Sequence, residues 1–411
     1  MRSVEEHGPA ADVAVVGGGV IGLVTAWRSA QRGLRCTVVD PAPGGGAARV
    51  AAGMLAAVGE LHYGEEALLA LNLESARRYP EFAAELAEAS GRGIGYRPCG
   101  SLFAALDADD RAHLRELHAF QQRCGLEAHW LGGRECRRLE PMLAPSVQGG
   151  LRVDGDHQTD PRRLADALFT ACRRAGVRFR RAPAAGVAVS GGRCRGVLLA
   201  DGGELAAGDV VLAAGAYGSR LAGVPPEALP PVRPVKGQVL RLRMPDGAGP
   251  YGPFLSRTVR GVVRGEHVYL VPRADGELVV GATSEEQGWD TTVTAGGVYR
   301  LLRDAHELVP GITELPLAES GAGLRPASPD NAPLLGPTGL HGLHLATGHH
   351  RNGVLLTPVT GDAMAELLTA GRLPEHARPF TPARFAERPT GARARTRAQE
   401  QAPPEPQEYP A

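Results

Sequence analysis

Arg325 stands in GAGLRPASPDNAPLLG (321–336), among glycines, prolines and small apolar residues. A surface guanidinium needs no such company, because its stem can lie along any apolar patch. One directed inward needs an anion, and its planar fork suits a carboxylate through two parallel charge-assisted hydrogen bonds. That anion is either a bound acid or an internal partner such as Glu319. Other reactive residue types are sparse. Lys236 is the only lysine, which argues against Schiff-base chemistry. The six cysteines, Cys36, Cys99, Cys124, Cys136, Cys172 and Cys194, show no CxxC spacing, so reduced packing thiols are expected and no metal site. His349 and His350 adjoin one another, but no acid/base pair stands out, and neither is assigned a proton transfer.

The second chemical pattern is backbone-based. Gly17, Gly19 and Gly22 form GxGxxG, with Val20 and Ile21 in the turn, between an apolar run DVAVV and a helix-like VTAWRSAQR. Glycines at these places serve a tight turn, close approach to a pyrophosphate, and close packing of helix on strand. The phosphates then meet free helix N–H groups in a favourable dipole field. Asp40 ends the following strand, RCTVVD, near the spacing at which a carboxylate accepts hydrogen bonds from ribose hydroxyls. The pattern predicts dinucleotide binding without separating NAD from FAD. The run AARVAAGMLAAVGE (47–60) favours FAD, since small residues let backbone lie along a ribityl chain and flavin ring.

These residues need elements to position them. The strand, turn, helix, strand unit at the start is followed by a helical run to about residue 90, with Pro80 expected to bend or divide it, and by a second helix over 110–124. Asp160 and Pro161 predict a helix start, with Gly176 past its end. Short strands follow at VRFR, GVAVS, CRGVLLA and DVVLAAG. Between about 232 and 320 longer strands, PVKGQVLRLR, HVYLVPR and ELVVGAT, predict an inserted antiparallel sheet. LHLATG then reads as a buried strand and NGVLLTPVTGDAMAELLTA as a last helix capped by Gly371. From about Ala383 the chain is rich in Arg, Pro, Glu and Gln, and disorder is expected there.

Composition bounds the partners. Lys+Arg and Asp+Glu balance at 45 each, so no broad field draws in nucleic acid or an acidic membrane. No apolar run is long enough to span a bilayer, and the opening MRSVEEHGPA is acidic where a signal peptide carries positive charge, so a cytoplasmic location is expected.

VAVVGGGVIGL, VAAGMLAA, DVVLAAGAYGSRL, PVRPVKGQVLRL, HVYLVPRADGELVVGAT, ESGAGLRPASPDNAPLLG and ATGHHRNGVLLTPVTG follow one another in an order that resembles the D-amino acid oxidase superfamily. Within it the chain looks most like the glycine oxidases of thiamine biosynthesis, over nearly all of 12–372. The resemblance implies an α/β fold: an FAD-binding, Rossmann-like domain of the glutathione-reductase/D-amino acid oxidase type, with an inserted antiparallel-sheet substrate domain. The expected division is 12–90, 151–230 and 321–372 for the FAD-binding domain, 91–150 and 231–320 for the substrate domain, and 383–411 as a disordered tail. It implies that Arg325 binds the substrate carboxylate, that Tyr269 lies beside it, and that Met54 and Arg351 line the site. It gives Ala52, Gly53 and Gly215 to the cofactor, and Gly348, Arg351, Asn352, Gly353 and Leu355 to the polar edge of the flavin at the start of the last helix. Ala184 is matched to adenine.

There are departures. Asp40 stands where the family often has glutamate, and Ser284 where a bulkier apolar residue narrows the pocket, which leaves substrate size open. No cysteine lies in 325–351 and no lysine in ELVVGATSEEQGWD, so non-covalent FAD is expected and sarcosine oxidase proper is disfavoured. The implied reaction is oxidation of glycine or another small amino acid to an imine, with oxygen reduced to hydrogen peroxide and thiazole synthase as a user of the product. A dehydrogenase passing electrons from a D-amino acid or N-methyl amino acid to a carrier is the alternative. Family members assemble as homo-oligomers, and the same is expected here.

Overall fold

The computed structural model describes residues 11–245 and 253–385. Its first sheet is organised by Ala11–Val16, whose run of small and β-branched residues is almost wholly buried, as a strand covered on both faces must be. It pairs in parallel with Cys36–Val39 on one side and Glu204–Leu212 on the other. Leu343–Thr347 and Arg178–Arg180 extend the sheet outward, and Leu334–Pro337 closes one edge in antiparallel sense. The helices Val20–Gln31, Glu66–Ser90, Pro161–Arg174 and Thr357–Ala370 share one apolar core against this sheet. The antiparallel strands Ala184–Ser190 and Arg193–Leu199 run into Glu204–Leu212 and contribute to a second core.

The predicted helix signals have their physical counterparts. Asp160 accepts from the N–H groups of Arg162 and Arg163, Pro161 occupies the first turn, and Gly176 follows in the left-handed region. Of the two expectations for Pro80, division does not occur: Glu66–Ser90 is one helix of 25 residues with Pro80 inside it. Pro80 is exposed, so water can satisfy the carbonyl that its missing N–H leaves free. The last helix begins at Thr357, later than predicted, because His350–Asn352 forms a separate 3₁₀ turn. Past Gly371 the chain stays ordered. Ala377 and Phe380 are buried, and Pro382–Phe385 is a 3₁₀ turn in which Arg384 pairs with Asp330 at 2.8 Å. The disorder expected from 383 therefore does not apply to 383–385, and 386–411 lie outside the described residues.

The second sheet has eight strands in the order Leu317–Ala327, Arg233–Arg243, Glu277–Gly281, Glu266–Pro272, Thr258–Val263, Ser101–Ala105, Gly149–Val153 and His129–Gly132. Its pairs are antiparallel except Thr258–Val263 with Ser101–Ala105, which is parallel, so the inserted sheet is mixed. Ala295–Leu308 covers its outer face over a large apolar cluster. Residues 321–327, expected with the cofactor domain, are hydrogen-bonded into this sheet along Arg233–Arg243, and it is this strand that carries Arg325.

Candidate active site

The glycine turn meets its three requirements separately. A Cβ on Gly17 would lie 2.5 Å from the Ala213 carbonyl oxygen, and its φ of 108° suits only glycine. A Cβ on Gly22 would lie 1.9 Å from the Gly17 carbonyl, so helix and turn touch backbone to backbone there. Gly19 has no protein atom within 4 Å of its would-be Cβ, and no side chain caps the helix it opens. Open space thus lies over free amides, a fitting cradle for phosphate. Asp40 accepts from the N–H of Gly18 at 2.6 Å and of Ala42 at 2.7 Å, bracing the turn while its oxygens keep lone pairs for a ribose. Gly215, at φ 57°, accepts from Thr347 Oγ1 at 3.1 Å, which ties the strand beside the turn to Gly348. Ala184 opens the meander strand opposite Leu199.

A cavity of about 460 Å³ lies between the two sheets. Ala52, Gly53 and Met54 border it, as do Arg351, Asn352 and Leu355 and, from the second sheet, Tyr269 and Arg325. Val20, Ile21 and the other turn residues are not in its lining, and Gly353 lies between lining residues. Gly53 has φ 74°, and a Cβ there would strike the Thr159 carbonyl at 2.1 Å. Arg273 donates to the carbonyls of Ala52 and Thr159 and holds this backbone in place. Asn352 Nδ2 and His350 Nδ1 are buried without a protein partner. Unmatched polar atoms of this kind fit the polar edge of a flavin, as the open glycine turn fits its pyrophosphate.

Arg325 has no carboxylate within 4.0 Å among the described residues; Glu319 pairs with Arg162 at 2.5 Å instead. The guanidinium donates to the Thr283 carbonyl at 3.1 Å and to that of Lys236 at 3.4 Å, neutral acceptors that orient it without matching its charge. Two glycines that sequence reasoning missed make room for it. A Cβ on Gly237 would lie 2.5 Å from both terminal nitrogens of Arg325, and one on Gly281 2.5 Å from the Tyr269 hydroxyl. Gly237 and Gly281 belong to neighbouring strands, so the arginine and the tyrosine lie flat over the sheet with their heads converging. Burial raises the Tyr269 phenol above its ordinary pKa, with Arg325 opposing, so the hydroxyl is neutral.

A charge network was also missed. Glu60 pairs with Arg260 at 3.2 Å and with Arg351 at 3.1 Å, and Arg351 pairs with Glu65 at 2.7 Å. Arg351, expected to face substrate, is thus held by two carboxylates. Burial works to raise the Glu60 carboxyl, but Arg260 and Arg351 outweigh it and hold the pKa below the usual range. Glu60 ends the small-residue run already singled out, yet nothing near it in sequence announces its partners. Arg260, stacked on Phe103 at 4.7 Å, resembles any polar residue of a half-buried strand. Burial lowers His349 to about 3 and His350 to about 4, so both imidazoles are neutral; His349 Nε2 bonds Thr360 Oγ1 at 3.0 Å. Ser284 borders the cavity. No cluster of metal-ligating side chains occurs among the described residues, nor any helix long and apolar enough to cross a membrane.

Known proteins place this geometry. The chain is 35% identical over 363 residues to the bifunctional protein ThiO/ThiG of Trichormus variabilis, covering 87% of itself but only 52% of that protein, so it spans about half the length of that relative. It is 32% identical to the hydrogen cyanide synthase subunit HcnC of Pseudomonas aeruginosa, over 92% of itself and 97% of that protein. The crystal structure of glycine oxidase from Geobacillus kaustophilus superposes with a TM-score of 0.84 at 34% identity, covering 91% of this chain and 99% of the other. A family model described as FAD dependent oxidoreductase matches residues 12–367. With the phosphate cradle, the flavin-sized cavity and this match taken together, the chain belongs to the FAD dependent oxidoreductase family.

Proposed function

We propose that the protein oxidises glycine or a similarly small amino acid to its imine, which water converts to the 2-oxo acid. The observation that carries this is the charge-unmatched guanidinium of Arg325, laid beside Tyr269 over Gly237 and Gly281 at the cavity wall. An oriented arginine without a carboxylate partner at a cavity wall is suited to receive a carboxylate. When bound, FAD would supply the acceptor for the hydride from Cα and, with oxygen as the final acceptor, hydrogen peroxide as by-product. The protein's part is positional. Arg325 grips the carboxylate, Tyr269 bears on the same group, and Met54 limits the space around Cα. The amine nitrogen lone pair becomes the C=N bond as the hydride departs, and the remaining N–H proton goes to water. No general base is needed, consistent with the neutral His349 and His350.

In this reading Gly17, Gly19, Val20, Ile21, Gly22 and Asp40 hold the ADP half of FAD, with Ala184 and Gly215 beside it. Ala52, Gly53, Gly348, Asn352, Gly353 and Leu355 hold the flavin. The relatives named glycine oxidase and ThiO/ThiG support glycine as substrate and transfer of the imine to a thiazole synthase. HcnC is not named an oxidase, so the dehydrogenase alternative, in which electrons from a D-amino acid or N-methyl amino acid pass to a carrier, stays as the second reading. A cytoplasmic homo-oligomer is part of the proposal. Purified yellow enzyme mixed with glycine, sarcosine and D-alanine decides: bleaching of the flavin band near 450 nm (about the usual flavin position) under nitrogen tests amino acid oxidation, and peroxide formed in air separates oxidase from dehydrogenase. Flavin that none of the three bleaches sinks the reading.

A further inference from the structure

We propose that Glu60 restricts the substrate to one carboxylate, excluding amines that carry a second anionic group. The inference rests on Arg325 as carboxylate anchor. Three arginines border the cavity, Arg260, Arg325 and Arg351. Glu60 matches Arg260 at 3.2 Å, and with Glu65 it shares Arg351, at 3.1 and 2.7 Å. Arg260 and Arg351 thus each have a carboxylate within 4.0 Å, whereas Arg325 has none among the described residues. The other acid on the lining, Glu116, is exposed, so water screens it.

A single carboxylate on Arg325 therefore gives each of the three arginines an anionic partner. A second carboxylate would enter a cavity already bordered by the Glu60 carboxylate, whose side chain is 12% exposed, with no further unpaired arginine among the described lining residues, and like charges repel there. Arg260 does keep a buried Nη1 without an acceptor, but a neutral acceptor on the substrate satisfies it without adding charge. The arginines keep Glu60 ionised despite its burial, so the repulsion persists at neutral pH. The predicted substrates are small amino acids with neutral substituents on nitrogen or Cα.

The test uses the FAD-loaded enzyme and pairs of ligands differing chiefly in charge. Propionate and malonate are titrated against the flavin spectrum, and kcat/KM is compared for sarcosine and iminodiacetate. Wild-type enzyme is expected to prefer the singly charged member at least tenfold in each pair, Glu60→Gln to narrow that gap tenfold or more, and Glu60→Asp to retain it. Malonate binding as tightly as propionate in the wild type, or an equal gap in wild type and Glu60→Gln, overturns the proposal. If Glu60→Gln fails to fold, the wild-type and Glu60→Asp comparisons still decide. Flavin that no amino acid bleaches would refute the oxidation reading, and the propionate and malonate titration would then judge Glu60 alone.

Discussion

Replacing Gly237 by alanine adds one methyl group and should disable the site without disturbing the fold. The new Cβ would lie 2.5 Å from Nη1 and Nη2 of Arg325 and 2.6 Å from Cζ, and these side-chain atoms are its nearest neighbours. Gly237 is not in the left-handed region, so alanine adopts the backbone without strain. Ordinary contact begins near 3.4 Å, so the guanidinium must retreat by about 0.9 Å. Charge-assisted hydrogen bonds of roughly 2.8 Å then stretch to about 3.7 Å, beyond bonding range. Losing two of them costs about 2–4 kcal/mol, which at about 1.4 kcal/mol per decade is about a 30- to 700-fold rise in KM. FAD content and the thermal midpoint should match the wild type, and anaerobic bleaching against amino acid concentration gives the affinity. An unchanged KM, or loss of flavin together with affinity, would refute the reasoning.

Gly281→Ala should act likewise through Tyr269, whose hydroxyl lies 2.5 Å from the added Cβ, with a smaller loss of about 1–2 kcal/mol because a neutral donor is displaced. Arg325→Ala should raise KM by at least as much as Gly237→Ala while the protein stays yellow; normal turnover would count against the carboxylate anchor. Gly19→Val should purify folded but colourless, since its side chain meets only the open phosphate space. Gly22→Ala should lower the thermal midpoint itself, because its Cβ would lie 1.9 Å from backbone. Asp156 gives a pH signature. It is fully buried, accepts from the N–H groups of Val58 and Gly59 and from Ser101 Oγ, and burial pushes its pKa from 3.8 up to about 6. Because the folded value exceeds the unfolded one, its stabilisation is fully present below about 3.8 and is lost as pH rises through about 6, a swing of up to roughly 3 kcal/mol. Thermal midpoints of wild type and Asp156→Asn between pH 4.5 and 7.5 should diverge accordingly, and parallel curves would exclude the effect.

The glycine turn and the Asp160 cap were legible, and the proposed carboxylate role of Arg325 was suggested, because each is written in neighbouring residues: local backbone sterics, a side chain within reach of its own helix amides, a charge in apolar company. Pro80 was legible only in part, since local rules register the missing donor but not that an exposed position lets the helix run on undivided. The ordered stretch through Phe385 was hidden because its composition is polar, while Ala377 and Phe380 find their core only in three dimensions. Glu60 and Arg260, 200 positions apart, carry no mutual mark in the chain. So the sequence by itself determined where backbone must turn tightly before the first helix and which side chain to propose as the grip on an acid. Only the tertiary structure decided that Glu319 turns away to Arg162, that Gly237 and Gly281 clear the space for the grip, and that Arg351 is already matched. Charge balance and steric clearance act through space, between residues that only folding brings together.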